Sequence, residues 1–253
     1  MTPQRMVVKY IMIDTNLPLY SLIILIAFLI NIIVICYIAY KKDRLDHKLI
    51  YLLIFEHIGM ILGAKLYSFF SNPAQYNYHF DIFKIGFSSI GAVIGIIIMS
   101  FIYIKLFKTS IKEIVEIFIC SIPLIYSIGK IACFITGCCC GIEYNGPFSI
   151  TYLYSSNNHN GISLFPIQLL ESIVSFIIFI ITFRIVMKDK INKRNVGIIT
   201  IVIFTSKFLL DFLRFTHMKE LISFNQIMCI PFIIIGILLI INKNTLHIQK
   251  NNV

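Results

Sequence analysis

Seven long apolar runs constrain this chain more than any other feature. They extend over Pro18 to Tyr40, Leu49 to Phe70, Lys84 to Phe107, Ile114 to Gly137, Leu164 to Met187, Gly197 to Phe215 and Ser223 to Ile241. A helix needs roughly 20 apolar residues to cross a bilayer, and in lipid its backbone polar groups must be satisfied within the segment itself. The expectation is an all-α, polytopic membrane protein with seven transmembrane helices, folded as a single integral membrane domain over residues 1–253. Composition agrees: 58% of residues are hydrophobic and 13% charged, with a mean hydropathy of +0.87, which is too apolar for a soluble globular domain. The opening segment to Asn16 carries Arg5, Lys9 and Asp14 and lacks the apolar core and cleavage site of a secretory leader, so the whole chain reads as mature.

The net charge of +10 does not point to nucleic acid, because the basic residues sit in short clusters between apolar runs. Lys and Arg are retained in cytoplasmic loops. Lys41, Lys42, Arg44 and Lys48, then Lys105, Lys108 and Lys112, then Lys188, Lys190, Lys193 and Arg194 occupy alternate loops, and Lys243 and Lys250 follow in the tail. The intervening loops carry only Lys219, and the N-terminal segment carries two. The N-terminus is thus expected outside and the C-terminus in the cytoplasm, as in a multi-pass membrane protein. No internal repeat is visible, which argues against the transporter folds built from repeats.

Ionisable groups within apolar runs are costly, about 2.5–3.5 kcal/mol each on insertion scales, so each needs a partner, a cavity or a function. The prominent ones are Glu56, His57, Lys65, Lys130, Glu171, Lys207, Asp211 and Arg214, with Gln168 as a neutral companion. Lys207, Asp211 and Arg214 stand at i, i+4 and i+7, one face of a helix. They form either a structural salt-bridge triad or, with Lys130 added, a cationic cavity for an anionic head group, and a phospholipid phosphate suits the cavity. Gly59, Gly63, Gly91 and Gly95 have the small-xxx-small spacing of close helix packing; near Ser88 and Ser89 such glycines also let backbone N–H groups face a ligand oxygen. Cys133, Cys138, Cys139 and Cys140 form a C-x4-C-C-C cluster. With no C-x-x-C pair and no nearby His, its zinc reading is weak. Packing, a bridge from Cys133 to one of the later three, and a thiol activated beside Lys130 all stay open.

Five stretches and a short entry motif resemble the prolipoprotein diacylglyceryl transferase family. Leu19-Tyr20-Ser21-Leu22 resembles its Tyr-Gly-Leu entry and Gly63-Ala64-Lys65-Leu66-Tyr67 its Gly-Ala-Arg-Leu-Tyr, while Gly86 to Gly95 is similar to its glycine-rich third segment. The run from Gly129 to Gly141 looks like the signature Gly-Arg-x-Gly-Asn-Phe-x-Asn-Gly-Glu in a cysteine-containing variant. Pro166, Gln168, Leu169 and Glu171 match Pro-x-Gln-Leu-Tyr-Glu. KFLLDFLR from Lys207 to Arg214, followed by Asn225-Gln226, resembles Arg-Phe-x-x-Glu-Phe-x-Arg and Gly-Gln. Lys65, Lys130 and Lys207 stand where the family usually has arginine, Ile90 where many members have a histidine proposed as base, Cys133 for an asparagine and Cys138 for a glutamate.

The resemblance implies transfer of diacylglyceryl from phosphatidylglycerol to the lipobox cysteine in the signal peptide of a prolipoprotein, with no metal or other cofactor. It assigns Lys130 and Lys207 to the phosphate, Arg214 with Asp211 to positioning, and Tyr20, Lys65, Gly91, Gly95, Gly137, Cys138, Gln168 and Glu171 to substrate binding. His57 is a candidate base, against the commoner role of a hydrogen-bonded structural histidine. Three other classes stay open: a paralogue that binds anionic lipid or lipoprotein without chemistry, a different thiol-dependent membrane enzyme and, weakest because no inverted repeat is visible, a small-solute transporter.

Overall fold

A computed structural model of the chain describes residues 6–8, 19–71, 73–81, 85–153, 159–218 and 220–241. The predicted helix starts at Pro18 and Lys84, and Arg5, Lys9, Asp14, Lys219, Lys243 and Lys250, lie outside these residues. Eight helices dominate: α1 (Leu19–Lys41), α2 (His47–Ser71), α3 (Ser89–Phe107), α4 (Ile111–Phe118), α5 (Ser121–Thr136), α6 (Ile167–Met187), α7 (Lys193–Asp211) and α8 (Phe224–Ile241). Among the described residues, six stretches are long and apolar enough to cross a membrane: α1, α2, α3, α4 with α5, α6 and α8. Helix α7 is not one of the six; it carries Lys193, Arg194, Lys207 and Asp211.

The fourth predicted run is two helices rather than one. Pro123 has no N–H to give to the Ile119 carbonyl, and its ring crowds that carbonyl; it fits only in the first turn of a new helix. The chain accordingly turns at Ile119 and Cys120 and restarts at Ser121. Helix α3 begins at Ser89, where the Ser88 hydroxyl accepts the Gly91 N–H at 3.4 Å. Helix α7 begins at Lys193 under an Asn192 cap and stops at Asp211, four residues short of the predicted end. A small sheet joins the helices, which the apolar pattern did not signal. Strand β1 (Met6–Val8) pairs in parallel with β2 (Ile150–Tyr152), and β2 pairs antiparallel with β3 (Ser163–Leu164).

The chain divides into two compact units, one of residues 1–25 and 127–253, the other of residues 26–126. In the second unit α2 and α3 cross at their glycines. A Cβ on Gly63 would lie 2.3 Å from the Gly91 carbonyl oxygen, and one on Gly95 would lie 1.9 Å from that of Gly59, so the backbones touch where no side chain fits. Below the crossing, the Ser100 hydroxyl donates to the fully buried Glu56 at 2.5 Å. Ile35, Leu49, Leu52, Tyr103, Ile114 and Phe118 form a buried apolar cluster, and Arg44 holds Glu116 at 2.9 Å. In the first unit α7 and α8 approach in the same manner: a Cβ on Gly197 would meet the Gly236 carbonyl oxygen at 2.6 Å, and the rings of Phe204 and Phe232 stack at 4.2 Å.

Gly95→Val is expected to force α2 and α3 apart and to lower stability by about 1–3 kcal/mol, as overpacking does, seen as a fall in the thermal midpoint of the detergent-purified protein. Gly129→Ala, whose Cβ would meet only Ile24 at 3.7 Å, should leave the midpoint unchanged or raise it. Equal midpoints for the two variants would show that the α2–α3 crossing is not tight.

Candidate active site

Glu171 lies in the first turns of α6 with its side chain 1% exposed. A carboxylate so removed from water requires compensating charge and hydrogen bonds, and two cations from elsewhere in the chain supply them. Lys130 on α5 reaches Oε2 at 2.7 Å, and Arg214 Nη2 donates to Oε1 at 2.7 Å. The Arg214 Nε lies 3.3 Å from Asp211 Oδ1. The other oxygen of Asp211 accepts a hydrogen bond from the Ser223 hydroxyl and lies 3.4 Å from His217 Nε2. Lys207, one turn before Asp211, interacts electrostatically with Glu171, Arg214 and Lys130. Lys130, Lys207 and Arg214 thus stand against Glu171 and Asp211, three basic side chains to two carboxylates.

The backbone explains this convergence. Arg214 does not continue α7, contrary to the helical face expected from the sequence. Its segment leaves the helix and pairs with Gly141: the Ile142 N–H donates to the Leu213 carbonyl and the Phe215 N–H to the Cys140 carbonyl, both at 3.0 Å. Gly141 permits this approach, because a Cβ there would lie 3.1 Å from the Leu213 carbonyl oxygen and 2.3 Å from that of Phe165. Helix α5 ends in a Schellman motif. Gly137 takes φ 65°, its N–H faces the Phe134 carbonyl at 3.4 Å, and the Cys138 N–H donates to the Cys133 carbonyl at 3.0 Å.

This ending folds the cysteine loop back over the site. The Gln168 amide, one turn before Glu171, donates to the Cys138 carbonyl at 2.8 Å. The Tyr152 hydroxyl donates to the Phe134 carbonyl at 2.9 Å, and burial keeps its phenol above the usual range, so it serves as a neutral donor. Hydrogen bonds from Cys133 and Cys138 hold the Cys139 thiol below its ordinary value, with Lys130 and Arg214 adding to the effect. Tyr20 on α1 stands within electrostatic range of Lys130 and of Cys133, Cys138 and Cys139.

Of the residues singled out in the sequence, Tyr20, Lys130, Gly137, Cys138, Gln168, Glu171, Lys207, Asp211 and Arg214 all belong to this unit. Lys65, Gly91 and Gly95 belong to the other. There Lys65 donates to the Ile85 carbonyl at 2.5 Å, and the two glycines form the α2–α3 crossing. His57 lies in that unit too, its Nδ1 2.8 Å from the Leu53 carbonyl oxygen and its ring edge-on to Phe28, in the manner of a structural histidine. Sequence reasoning missed Ser223, His217 and Tyr152. The bonds of Ser223 and His217 to Asp211 follow from the turn after α7, which the apolar pattern reads as more helix, and Tyr152 sits on a strand too short to recognise.

The model of the prolipoprotein diacylglyceryl transferase family matches residues 7–242. The chain belongs to that family. It is 25% identical over 223 residues to the phosphatidylglycerol–prolipoprotein diacylglyceryl transferase of Clostridium tetani, covering 86% of this chain and 90% of the relative. It is 26% identical to transferase 2 of Clostridium perfringens over 84% of this chain and 83% of that one. With the Campylobacter lari transferase it shares 28% identity over 77% and 76%. In this diacylglyceryl transferase family member the ion-pair cluster is drawn from α5, α6 and the end of α7, all inside the matched span.

Glu171→Gln removes the charge between two nearly buried cations. It should destabilise the protein by about 3–5 kcal/mol, the range for breaking one side of a buried pair, and lower the thermal midpoint well below that of Glu171→Asp. Midpoints equal to wild type would show that the cluster does not hold α5 to α6.

Proposed function

We propose that the chain transfers the diacylglyceryl group of phosphatidylglycerol to the lipobox cysteine of a prolipoprotein, within a bacterial inner membrane. The observation that carries the reading is the gathering of Lys130, Lys207 and Arg214 about one buried carboxylate in a chain that belongs to this family. The acceptor thiolate attacks the glycerol carbon that bears the phosphate, the C–O bond breaks, and glycerol phosphate departs with the electron pair. Such a step is helped most by positive charge fixed where the leaving phosphate gathers its negative charge. Lys130 and Lys207 are assigned to that phosphate, and Arg214, aimed by Asp211 and Glu171, to positioning. A lysine keeps the charge of the family's arginine and gives up its two-pronged geometry.

Gln168 and Gly137 set the cysteine loop in place, Cys138 presents that loop to the substrate, and Tyr20 donates to the lipid head group. Lys65, Gly91 and Gly95 are given no part in the chemistry, since a carbonyl and a helix crossing account for their contacts. In this reading α7 is the sixth of seven spans, α4 with α5 forms the fourth, the N-terminus lies outside and the C-terminus in the cytoplasm, as the Lys and Arg distribution requires. The site then faces the outer leaflet, where an exported lipobox arrives.

The test is expression in cells depleted of their own transferase, followed by the mobility shift of a tagged prolipoprotein. Wild type should lipidate it, Lys130→Arg should match or exceed wild type, and Lys130→Ala should fall by about 100- to 1000-fold, the scale for losing one transition-state donor. A well-folded wild type that binds phosphatidylglycerol yet yields no thioether would make the chain a binding protein, and equal rates in all three forms would remove Lys130 from the mechanism.

A further inference from the structure

Three thiols beside the ion-pair cluster have no part in the chemistry above. The Sγ atoms of Cys133, Cys138 and Cys139 all lie within 4.8 Å of one another, and none is in a disulfide. The fold brings them together in a way that the C-x4-C-C-C spacing hides. Cys133 is in the last turn of α5, the Schellman ending returns Cys138 to it, and Cys139 takes φ 53°. A residue with a Cβ enters that left-handed region at a cost of order 1–3 kcal/mol, and such strain persists where the surroundings enforce it. Cys140 is different, because its thiol donates to the Gly137 carbonyl at 3.2 Å and packs with Ile150, Tyr152 and Leu164.

Sulfurs that merely filled space would meet carbon; these three meet one another, next to Lys130 and Arg214. Zinc binds thiolates at about 2.3 Å with tetrahedral angles, which sets sulfurs about 3.8 Å apart. A closure of about an ångström or less per pair therefore seats the ion. Three thiolates around Zn2+ carry one net negative charge, which the neighbouring cations offset. Outer contacts steady the ligands, as metal sites require: Thr136 Oγ1 lies 3.5 Å from Cys138 Sγ, and Gln168 holds the Cys138 carbonyl. A site with three protein ligands has its fourth position open, the arrangement of catalytic rather than structural zinc.

We propose that Cys133, Cys138 and Cys139 hold a zinc ion whose fourth position takes the sulfur of the acceptor cysteine as a thiolate. The identity of that acceptor rests on the transferase reading above. On binding, the acceptor S–H proton passes to water, since a thiol that coordinates zinc is deprotonated. Its electron pair then forms the C–S bond, the glycerol C–O bond breaks toward the phosphate oxygen, and the thioether, a poorer ligand than the thiolate, leaves the metal. Zinc stays Zn2+ throughout, so no oxidant or reductant is needed. The site would prepare the nucleophile in a chain that has Ile90 where the resemblance places a histidine base, and it revises the expectation that the reaction proceeds without metal.

The test uses the whole chain, purified in detergent under reducing, zinc-replete conditions. Wild type should hold about one zinc per chain, and Cys139→Ser should lose it. Cobalt in place of zinc should give a thiolate-to-metal absorption band that shifts on adding a lipobox peptide and not on adding its Cys-to-Ser counterpart. Chelation of wild type should abolish lipidation and zinc should restore it, an arm that does not depend on how a variant folds. Wild type without zinc or a cobalt–thiolate band overturns the site, and lipidation that survives chelation, or a band indifferent to the peptide, overturns its role toward the acceptor. Bound zinc with a peptide-responsive band but no lipidation leaves the site standing and overturns the transferase reading instead.

Discussion

Glu171 joins two cations that the sequence keeps far apart, Lys130 on α5 and Arg214 beyond α7, each at 2.7 Å from one of its oxygens. In a low-dielectric interior neither the carboxylate nor the cations are tolerable alone, whereas together they satisfy one another. The pairing fixes the ends of three helical segments to a common point, and in the reaction proposed above its cations meet the phosphate of the lipid.

The helix pairs of each unit rely on contacts of another kind. Gly59, Gly63, Gly91 and Gly95 in one unit, and Gly197 with Gly236 in the other, allow backbones to meet directly. Lipid offers no hydrophobic force to draw apolar helices together, so close fit must supply the association. Dispersion contacts at these crossings are short-ranged, which makes the helix pairs rigid mounts. Lys207 and Asp211 stand on one of these mounts, α7, whose Gly197 meets α8 at Gly236.

Much of this was legible in the sequence, and the remainder was not for identifiable reasons. The apolar runs located the helices because length and hydropathy are conditions for crossing lipid, and buried charges flagged Lys130, Glu171, Lys207, Asp211 and Arg214 because such groups are rarely placed there without purpose. Helix ends are less visible: Pro123 inside the fourth run marks a break that hydropathy alone overlooks, and the i, i+7 spacing of Lys207 and Arg214 reads as one helical face although pairing with Gly141 draws Arg214 off the helix. The sheet escaped notice because β2 has three residues and β3 two, too few for an alternating pattern to register. The meeting of Cys133, Cys138 and Cys139 depends on two left-handed residues on either side of Cys138, Gly137 and Cys139, and spacing rules assume no such reversal.

The order of Lys130, Glu171 and Arg214 along the polypeptide has a consequence for biogenesis. Synthesis delivers α5 before α6 and α6 before the turn past α7, so when Glu171 emerges from the ribosome its first counterion already exists and its second does not. The Lys130–Glu171 bond is then the one available during insertion, and Arg214 locks an arrangement already begun. Placing the acid between the two bases in translation order spares the nascent membrane protein a stage in which a lone carboxylate waits in the bilayer for its only mate.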